Sequence, residues 1–466
     1  MPLFLDTLPY APVELTACPS VEQQAQAQQA YVTMVLTSLQ ALLARAERQP
    51  DYGFVDTKFS LADGKDFDSA DPIRGQSAIY GWIQGRAIEA LAGHRAWLKQ
   101  TTGLSPALRQ ELDRRLHALL VRLVNNLENL RHHNQGRLSF VMTPTGQPLR
   151  IVDCRSVVRC EPQSDAPANF TDLFYAKGLA AAAASIGNQT AFQSAQKLLE
   201  WVVRDIESEQ FTSDQQQLDP SNPGVNPIPG RHLYAPRMIA LGATALFFRL
   251  TQNNEYRQMG VRFIEHILQR HANTNQQVPE SPAFSLWEYT DDHGRPYIEA
   301  DGILRSLPGH ATEFVGLALK HLRVSGVDDL LLQQLLAQVL QANLQNGWAA
   351  NDYGIVHSVD LRSGRILNTN MPWWSLPETI RAAMECRNFQ SAEAWKPIAK
   401  IAMTCSNAFL RRYVRPAVHC MAIQALNQNG QVAPVIPAVP DADPCYHTGL
   451  SLIDALEIFE QTQPRR

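Results

Sequence analysis

Two histidines stand out by the company they keep. His310 lies in P-G-H-A-T-E-F at 308–314, with Glu313 three residues further on. His447 lies in P-C-Y-H-T-G at 444–449. Histidine titrates near neutrality, so one ring can both take and return a proton. A carboxylate at i+3 shares its helical face and can fix the tautomer. Further clusters carry arginine and aromatic residues: Trp82-Ile83-Gln84-Gly85-Arg86, Asp172-Leu173-Phe174-Tyr175, His232-Leu233-Tyr234-Ala235-Pro236-Arg237, and Trp373-Trp374-Ser375-Leu376-Pro377-Glu378. An arginine stabilises a developing enediolate oxygen, and tryptophan faces pack on the C–H faces of sugar rings. Gathered in one cavity, these groups suit abstraction of a proton next to the carbonyl of a saccharide. That chemistry needs neither a metal nor an organic cofactor.

Only a particular architecture gathers clusters so far apart. Helical 3.6-residue patterning occurs in about twelve stretches: 21–47, 77–99, 105–133, 171–187, 190–208, 231–250, 254–272, 310–323, 327–344, 375–386, 389–413 and 446–461. From the fourth helix to the tenth, connections after even-numbered helices are short, as at Gly187-Asn188-Gln189 and Ser325-Gly326. Those after odd-numbered helices, from the third onward, are long. Most of the long ones read as β-hairpins turning at Gly146, Gly294, Gly364 and Gly430, with apolar or β-branched flanks. The exception, 209–230, is rich in Pro, Asn and Gln and reads as a loop.

The repeated unit is therefore helix, short turn, helix, long hairpin. Six such units predict an all-α fold, an (α/α)6 barrel or toroid, with β-hairpin loops at its mouth. An open superhelical solenoid is the structural alternative. In a ring the even helices are the inner ones and begin at one mouth, where their N-termini present free N–H groups and a positive dipole end. The clusters sit at or near those starts. Singly, each has a plainer explanation: proline and glycine are ordinary start signals, a His–Glu pair is often a surface bond, and paired tryptophans are often core. Their shared position in the repeat carries the functional reading. His94, His117, His132, His133, His271, His321 and His419 lie away from the helix starts and read as structural or solvated.

Composition bounds the alternatives. The 466 residues carry 41 basic and 45 acidic side chains, a net charge of −4, so no excess charge holds nucleic acid or an anionic membrane. No apolar run approaches the roughly 20 residues that span a bilayer. The opening MPLFLDTLPYAPVEL lacks a basic n-region and does not read as a secretory signal. Seven cysteines, at 18, 154, 160, 386, 405, 420 and 445, form no CxxC pair, so a disulfide framework or structural zinc site is not expected. The expectation is a cytoplasmic protein: one barrel domain over 1–466, with 1–20 as an N-terminal extension. A homodimer is compatible with this reading, which does not fix the oligomeric state. The expected partner is a small saccharide. No phosphate-binding glycine loop, nucleophile elbow or HxxxH metal pattern occurs.

With these motifs in hand, the chain resembles the N-acylglucosamine 2-epimerase superfamily, which includes cellobiose 2-epimerases and mannose-type aldose–ketose isomerases. W-I-Q-G-R at 82–86, D-L-F-Y-A-K-G-L at 172–179, P-G-H-A-T-E-F at 308–314, G-W at 347–348, Y-G at 353–354, W-W-S-L-P-E at 373–378 and Y-H-T at 446–448 follow the family's order. The resemblance spans about 50–460 and implies the same barrel. It implies that His310 and His447 are the acid/base pair, that Arg86 stabilises the enediolate and that Glu313 orients or assists His310. It implies that Trp374 stacks on the sugar and that Glu378 holds a hydroxyl. Tyr234, Trp348 and Tyr446 join the expected substrate-binding set, as does Arg237. The chain departs from the family pattern at Pro236-Arg237-Met238, Asn370-Met371, Leu376-Pro377 and Gly449-Leu450. Arg237 stands near a position where many members carry histidine, and the expectation is that it meets an anionic group of the substrate.

The residues leave three further readings. A glycoside hydrolase or lyase on the same barrel needs two carboxylates across a glycosidic bond, with Glu288, Glu313 and Glu378 as candidates. A non-catalytic sugar-binding barrel needs only the pocket. A helical scaffold explains the architecture but not the clustering at helix starts.

Overall fold

The computed structural model describes residues 15, 21–61, 63–153, 155–216, 228–433 and 443–462. Most of the expected 1–20 extension, Cys18, Cys154 and the middle of the 209–230 loop lie outside the described residues. So does the end of the hairpin that turns at Gly430.

Twelve helices follow one another along the described residues: α1 (Val21–Arg48), α2 (Gly81–Gln100), α3 (Pro106–His133), α4 (Phe170–Ile186), α5 (Gln189–Glu207), α6 (Ala235–Thr251), α7 (Asn254–His271), α8 (Pro308–Ser325), α9 (Leu330–Gly347), α10 (Ser375–Cys386), α11 (Ala392–Ala408) and α12 (Ser451–Thr462). A π-helical turn, Tyr446–Leu450, leads into α12, and another, Phe409–Tyr413, ends α11. Two inner helices start later than the periodicity suggests. Ile79–Tyr80 pairs with Val141–Met142, and His232–Leu233 pairs with Tyr289–Thr290, so a short strand precedes each helix.

The even helices pack in sequence, α2 on α4, α4 on α6, α6 on α8, α8 on α10 and α10 on α12. The turn before α12 then returns to α2, closing the ring. The odd helices back them from outside. Closure depends on small residues. A Cβ on Gly449 would lie 2.5 Å from the His94 ring, and one on Gly93 would lie 2.5 Å from Leu450. Gly85 and Gly178 likewise let α2 and α4 touch backbone to backbone. The inner helices are wrapped on all sides, which is why α4 is buried almost throughout and reads AAAAA over 180–184.

Capping separates the two rings. Outer helices α3, α5, α7, α9 and α11 begin with Ser105, Asn188, Asn253, Asp329 and Ser391, whose side chains accept first-turn N–H groups. Inner helices α2, α6, α8 and α10 begin at Tyr80, Tyr234, Leu307 and Trp374 with no side-chain cap. In α2 the first N–H, of Gly81, is taken by a backbone carbonyl instead, that of Phe140 at 2.9 Å. Only α4 among the inner helices with an observed cap has one, a capping box of Asn169 and Asp172.

The expected hairpins are present, but most of their strands pair across loops. Met371–Pro372 pairs with Ala425–Leu426, Val414–Arg415 with Met421–Ala422, and Arg305–Ser306 with the strand Ser358–Asp360. The starts of α2, α4, α6, α8 and α10 are thus laced to another connection. No helix among the described residues is long and apolar enough to cross a membrane.

Candidate active site

The mouth brings His310, His447, Trp374, Glu378, Glu313, Arg86, Tyr446 and Tyr234 together. His310 stands in the first turn of α8. Its Nδ1 lies 3.1 and 3.2 Å from the two oxygens of Glu288. Glu288 precedes the strand Tyr289–Thr290 and is anchored by its backbone N–H, which donates to the Arg305 carbonyl at 2.8 Å. A carboxylate can only accept, so Nδ1 carries the proton. Burial by itself lowers the His310 pKa. The charge and hydrogen bond of Glu288, with the charge of Glu313 behind them, outweigh that and raise it above the ordinary value.

This arrangement corrects the expectation that Glu313 orients His310, leaving it the assisting role of its charge. The carboxylate that holds His310 is Glu288, and Glu313 makes no hydrogen bond to it. Position i+3 places Glu313 one turn deeper in α8, where its buried carboxylate lies beside Glu378 and His447.

His447 is buried in the π-helical turn before α12. Its Nδ1–H donates to Glu378 Oε1 at 2.9 Å. The other oxygen of Glu378 takes Arg381 as an ion-pair partner. Glu378 therefore braces a histidine, and both its oxygens already hold protein partners, where a hydroxyl of the substrate was expected. Burial, then the positive charges of Arg86, Arg381, Lys177 and His310, push the His447 pKa well below its ordinary value. Its ring is neutral, and Nε2 bears a lone pair that makes no hydrogen bond among the described residues. Asp443 holds the turn by accepting the backbone N–H groups of Tyr446, His447 and Thr448 at 2.9, 3.3 and 3.0 Å.

Trp374 joins the two histidines. Its ring centroid is 5.5 Å from that of His310 and 5.8 Å from that of His447, with interplanar angles of 34° and 37°. Trp373 meets His447 edge-on at 6.1 Å. Tyr234 packs edge-on against His310 at 6.5 Å and against His271 at 5.2 Å.

Arg86 has no ion pair or hydrogen bond among the described residues. Its guanidinium lies 4.2 Å from the Phe174 ring centroid and 5.5 Å from those of Trp82 and Tyr446. Such a cation, held by π-faces alone, is available to a developing negative charge. Lys177, absent from the expected set, sits beneath it. Its Nζ donates to Tyr446 Oη at 2.5 Å and pairs with Glu89 at 3.1 Å. Lys177 and Arg381 are single basic residues inside helical runs, and no spacing rule marks them. Only the packing shows that both lie close enough to His447 to lower its pKa.

Two expected residues lie elsewhere. Arg237 turns to the C-terminal end of α5, where it donates to the Ile206 carbonyl at 3.0 Å and to Glu209 at 2.6 Å. Its charge is spent on that carboxylate and that helix end. Trp348 ends α9 and donates from Nε1 to Asp352 at 2.7 Å, which holds the following loop. Neither touches a histidine of the site.

Glu313, Glu378 and His447 bring donor atoms within 4.8 Å of one another, close enough to suggest a cation site. The surroundings oppose one. Glu378 is engaged by Arg381 and His447, and the charges of Arg86, Lys177 and Arg381 converge on the same point.

Comparison with known proteins adds to this geometry. The model of the family described as N-acylglucosamine 2-epimerase (GlcNAc 2-epimerase) matches residues 157–450. The fold is similar to that of cellobiose 2-epimerase from Spirochaeta thermophila DSM 6192, with a TM-score of 0.65 and 13% identity over 95% of this chain and 99% of that one. It is similar to cellobiose 2-epimerase from Bacillus thermoamylovorans B4167, at 0.60 and 14% over 82% and 88%. A D-mannose isomerase gives 0.59 and 15% over 90% and 97%. No curated protein sequence gives a significant match.

Proposed function

The chain belongs to the N-acylglucosamine 2-epimerase family, and from that premise we propose that it is a sugar 2-epimerase or aldose–ketose isomerase working through a histidine-mediated enediolate. One observation carries the reading. Two histidines share the Trp374 ring, each is braced at Nδ1 by its own carboxylate, and their pKa values are displaced in opposite directions.

The displacement assigns roles. His447 is neutral, and its Nε2 lone pair takes the proton from C2 of the open-chain sugar. The electron pair of the C–H bond moves into the carbonyl, forming an enediolate whose oxygen charge Arg86 faces. Glu378 stabilises the imidazolium that His447 becomes. His310, protonated beside Glu288, returns a proton from its own Nε2. Delivery to C2 from the other face gives the epimer; transfer of the O2–H proton to O1 followed by delivery to C1 gives the ketose. The reverse reaction exchanges the two roles. The residues that do this are all side chains of this chain, so the proposed steps call on no cofactor.

The cellobiose 2-epimerases and the mannose isomerase named above support a neutral saccharide as substrate. The site's own charges point the same way. Glu89, Glu288, Glu313 and Glu378 balance Arg86, Lys177, Arg381 and the protonated His310, and the one arginine expected to receive an anion, Arg237, is already paired. A glycoside hydrolase needs two carboxylates free to act on a glycosidic bond. Here Glu288 and Glu378 are bound to histidines, which leaves Glu313 alone.

The test is proton NMR in D₂O with D-mannose, N-acetyl-D-glucosamine, D-glucuronate and cellobiose. Loss of the C2 proton signal, abolished by His447→Ala and His310→Ala, is the expected result. Binding without exchange at C2 overturns the enzymatic reading in favour of a sugar-binding barrel.

A further inference from the structure

A third histidine, His357, stands beside the site, and neither the motifs nor the mechanism uses it. It is delivered by the loop that follows α9. The Val356 N–H donates to the Gly347 carbonyl at 2.8 Å, and the Ala349 N–H to the Gly354 carbonyl at 2.9 Å. Gly347 lies directly against Pro308, the first residue of α8. The Gly-Trp and Tyr-Gly motifs thus fold a loop onto the start of the helix that bears His310. Ser306 pairs with Val359 in the strand that follows. His357 immediately precedes that strand, and Pro308 opens α8 two residues after Ser306. The His357 backbone N–H is tied to the Asn370 carbonyl at 2.7 Å, on the segment that leads to Trp373 and Trp374.

The ring is half-buried, and its two nitrogens differ. Nδ1 is enclosed and has no hydrogen-bond partner. Nε2 is not enclosed, and it too makes no hydrogen bond among the described residues. A proton on Nδ1 would be a buried donor without an acceptor, which folded proteins avoid more strictly than an unused acceptor. The proton therefore belongs on Nε2, at the accessible edge of the ring. Burial, and then the charges of His310 and Arg305, hold the His357 pKa down to about 4, so the ring is neutral in neutral solution.

We propose that His357 is a substrate-binding residue of this site, donating from Nε2–H to a hydroxyl of the sugar beside His310 and taking no part in the proton transfer. The proposal rests on the saccharide reading above. It gives the 347–357 loop a function that the Gly-Trp and Tyr-Gly motifs by themselves do not reveal.

The experiment compares wild type, His357→Phe and His357→Gln, with D-mannose, N-acetyl-D-glucosamine and cellobiose as probes. Kd is read from quenching of tryptophan fluorescence, KM and kcat from C2 exchange between pH 5 and 9, and folding from Tm. The loss of one hydrogen bond to the sugar raises Kd and KM about tenfold in the Phe variant. The expected kcat and both limbs of its pH profile stay in place, and Gln, which keeps an N–H donor, restores most of the affinity. Unchanged Kd and KM in a folded Phe variant overturn the proposal. So does a fall in kcat with a displaced pH limb, which would make His357 an acid or base. A wild type that binds sugar without C2 exchange defeats the enzymatic reading alone, and the Kd comparison still decides the role of His357. A wild type that binds none of the probes overturns both.

Discussion

His447 Nδ1 and Glu378 Oε1 lie 2.9 Å apart in the barrel wall, and Arg381 holds the second oxygen of the same carboxylate. The pair does two things. It leaves the Nε2 of His447 without a hydrogen bond among the described residues, and in the mechanism we propose its negative charge meets the imidazolium that proton abstraction would create. His310 and Glu288 form the second pair, contributed by different elements of the ring.

Glu378→Gln keeps the shape but removes the charge. Loss of one positioned electrostatic partner lowers kcat by about 10²–10³-fold, with KM little changed, because the charge matters after the proton has moved. The rate of C2 proton exchange in D₂O measures it. A kcat within a few-fold of wild type removes the carboxylate from the mechanism.

The pH profile follows from the two displaced histidines. With His447 as base, activity needs His447 neutral and His310 protonated. The acid limb lies well below the ordinary histidine range, because the His447 pKa is lowered. The alkaline limb lies above it, because the His310 pKa is raised. Glu288→Gln removes the main raising influence and leaves burial to lower the pKa. The alkaline limb of kcat then moves to lower pH while the acid limb stays. A profile that does not move assigns the alkaline limb to another group.

Arg86 separates function from stability. Its guanidinium is desolvated, and its pKa is lowered by burial. Arg86→Leu relieves that burial, so Tm is expected to stay level or rise. Turnover falls by about 10²-fold or more if the enediolate charge depends on it. Thermal melts beside C2 exchange rates give both halves.

Arg237 shows the reverse pattern. Its bonds to Glu209 and the Ile206 carbonyl are structural. Arg237→Ala removes a charged donor from the Ile206 carbonyl, which keeps the Glu209 N–H, and from Glu209, which keeps His232, at a cost of about 1 kcal/mol. KM for neutral and acidic sugars stays unchanged. A selective rise in KM for D-glucuronate would restore the anion-binding role that its position in the motif suggested.

Acid sensitivity follows from buried histidines outside the chemistry. Burial is the main cause that lowers His94, His321 and His357 to about 4 and His271 to about 3. Unfolded histidines titrate near 6.5. Between about 4 and 6.5 the unfolded chain binds more protons at these sites, so their stabilisation is complete above 6.5 and is lost as the pH falls. Asp172, raised to about 6 by burial, opposes the trend, as do Asp214, Asp443, Glu457 and Glu460, which burial also raises, and His310, which its carboxylate neighbours raise; the lowered histidines, His266 and His447 among them, outnumber these. Tm is expected to drop steadily from pH 7 to pH 5. A flat Tm over that range contradicts the burial of these rings.

Much of this protein is legible along the chain. The 3.6-residue period and the start and stop residues locate the twelve helices to within a few positions, because helical hydrogen bonds and caps are local. The alternation of short and long connections implies a ring, since neighbouring hairpins must bury one another. Motifs at the inner helix starts point to a common mouth, which is why His310, His447, Trp374, Glu378 and Arg86 can be named in advance. Partners are another matter. The period predicts that Glu313 shares a face with His310, but it does not reveal that Glu288, 22 positions earlier, is carried to His310 by a strand beside Arg305. It does not show that Arg237 turns to Glu209, that Trp348 closes on Asp352, or that Lys177 and Arg381 come close to His447 and His357 to His310. Backbone periodicity sets which way each helix faces its immediate neighbours. Which charges meet across the barrel, and so which histidine is neutral and which is charged, depends on closure of the ring and on side chains packing across it, which no local pattern encodes.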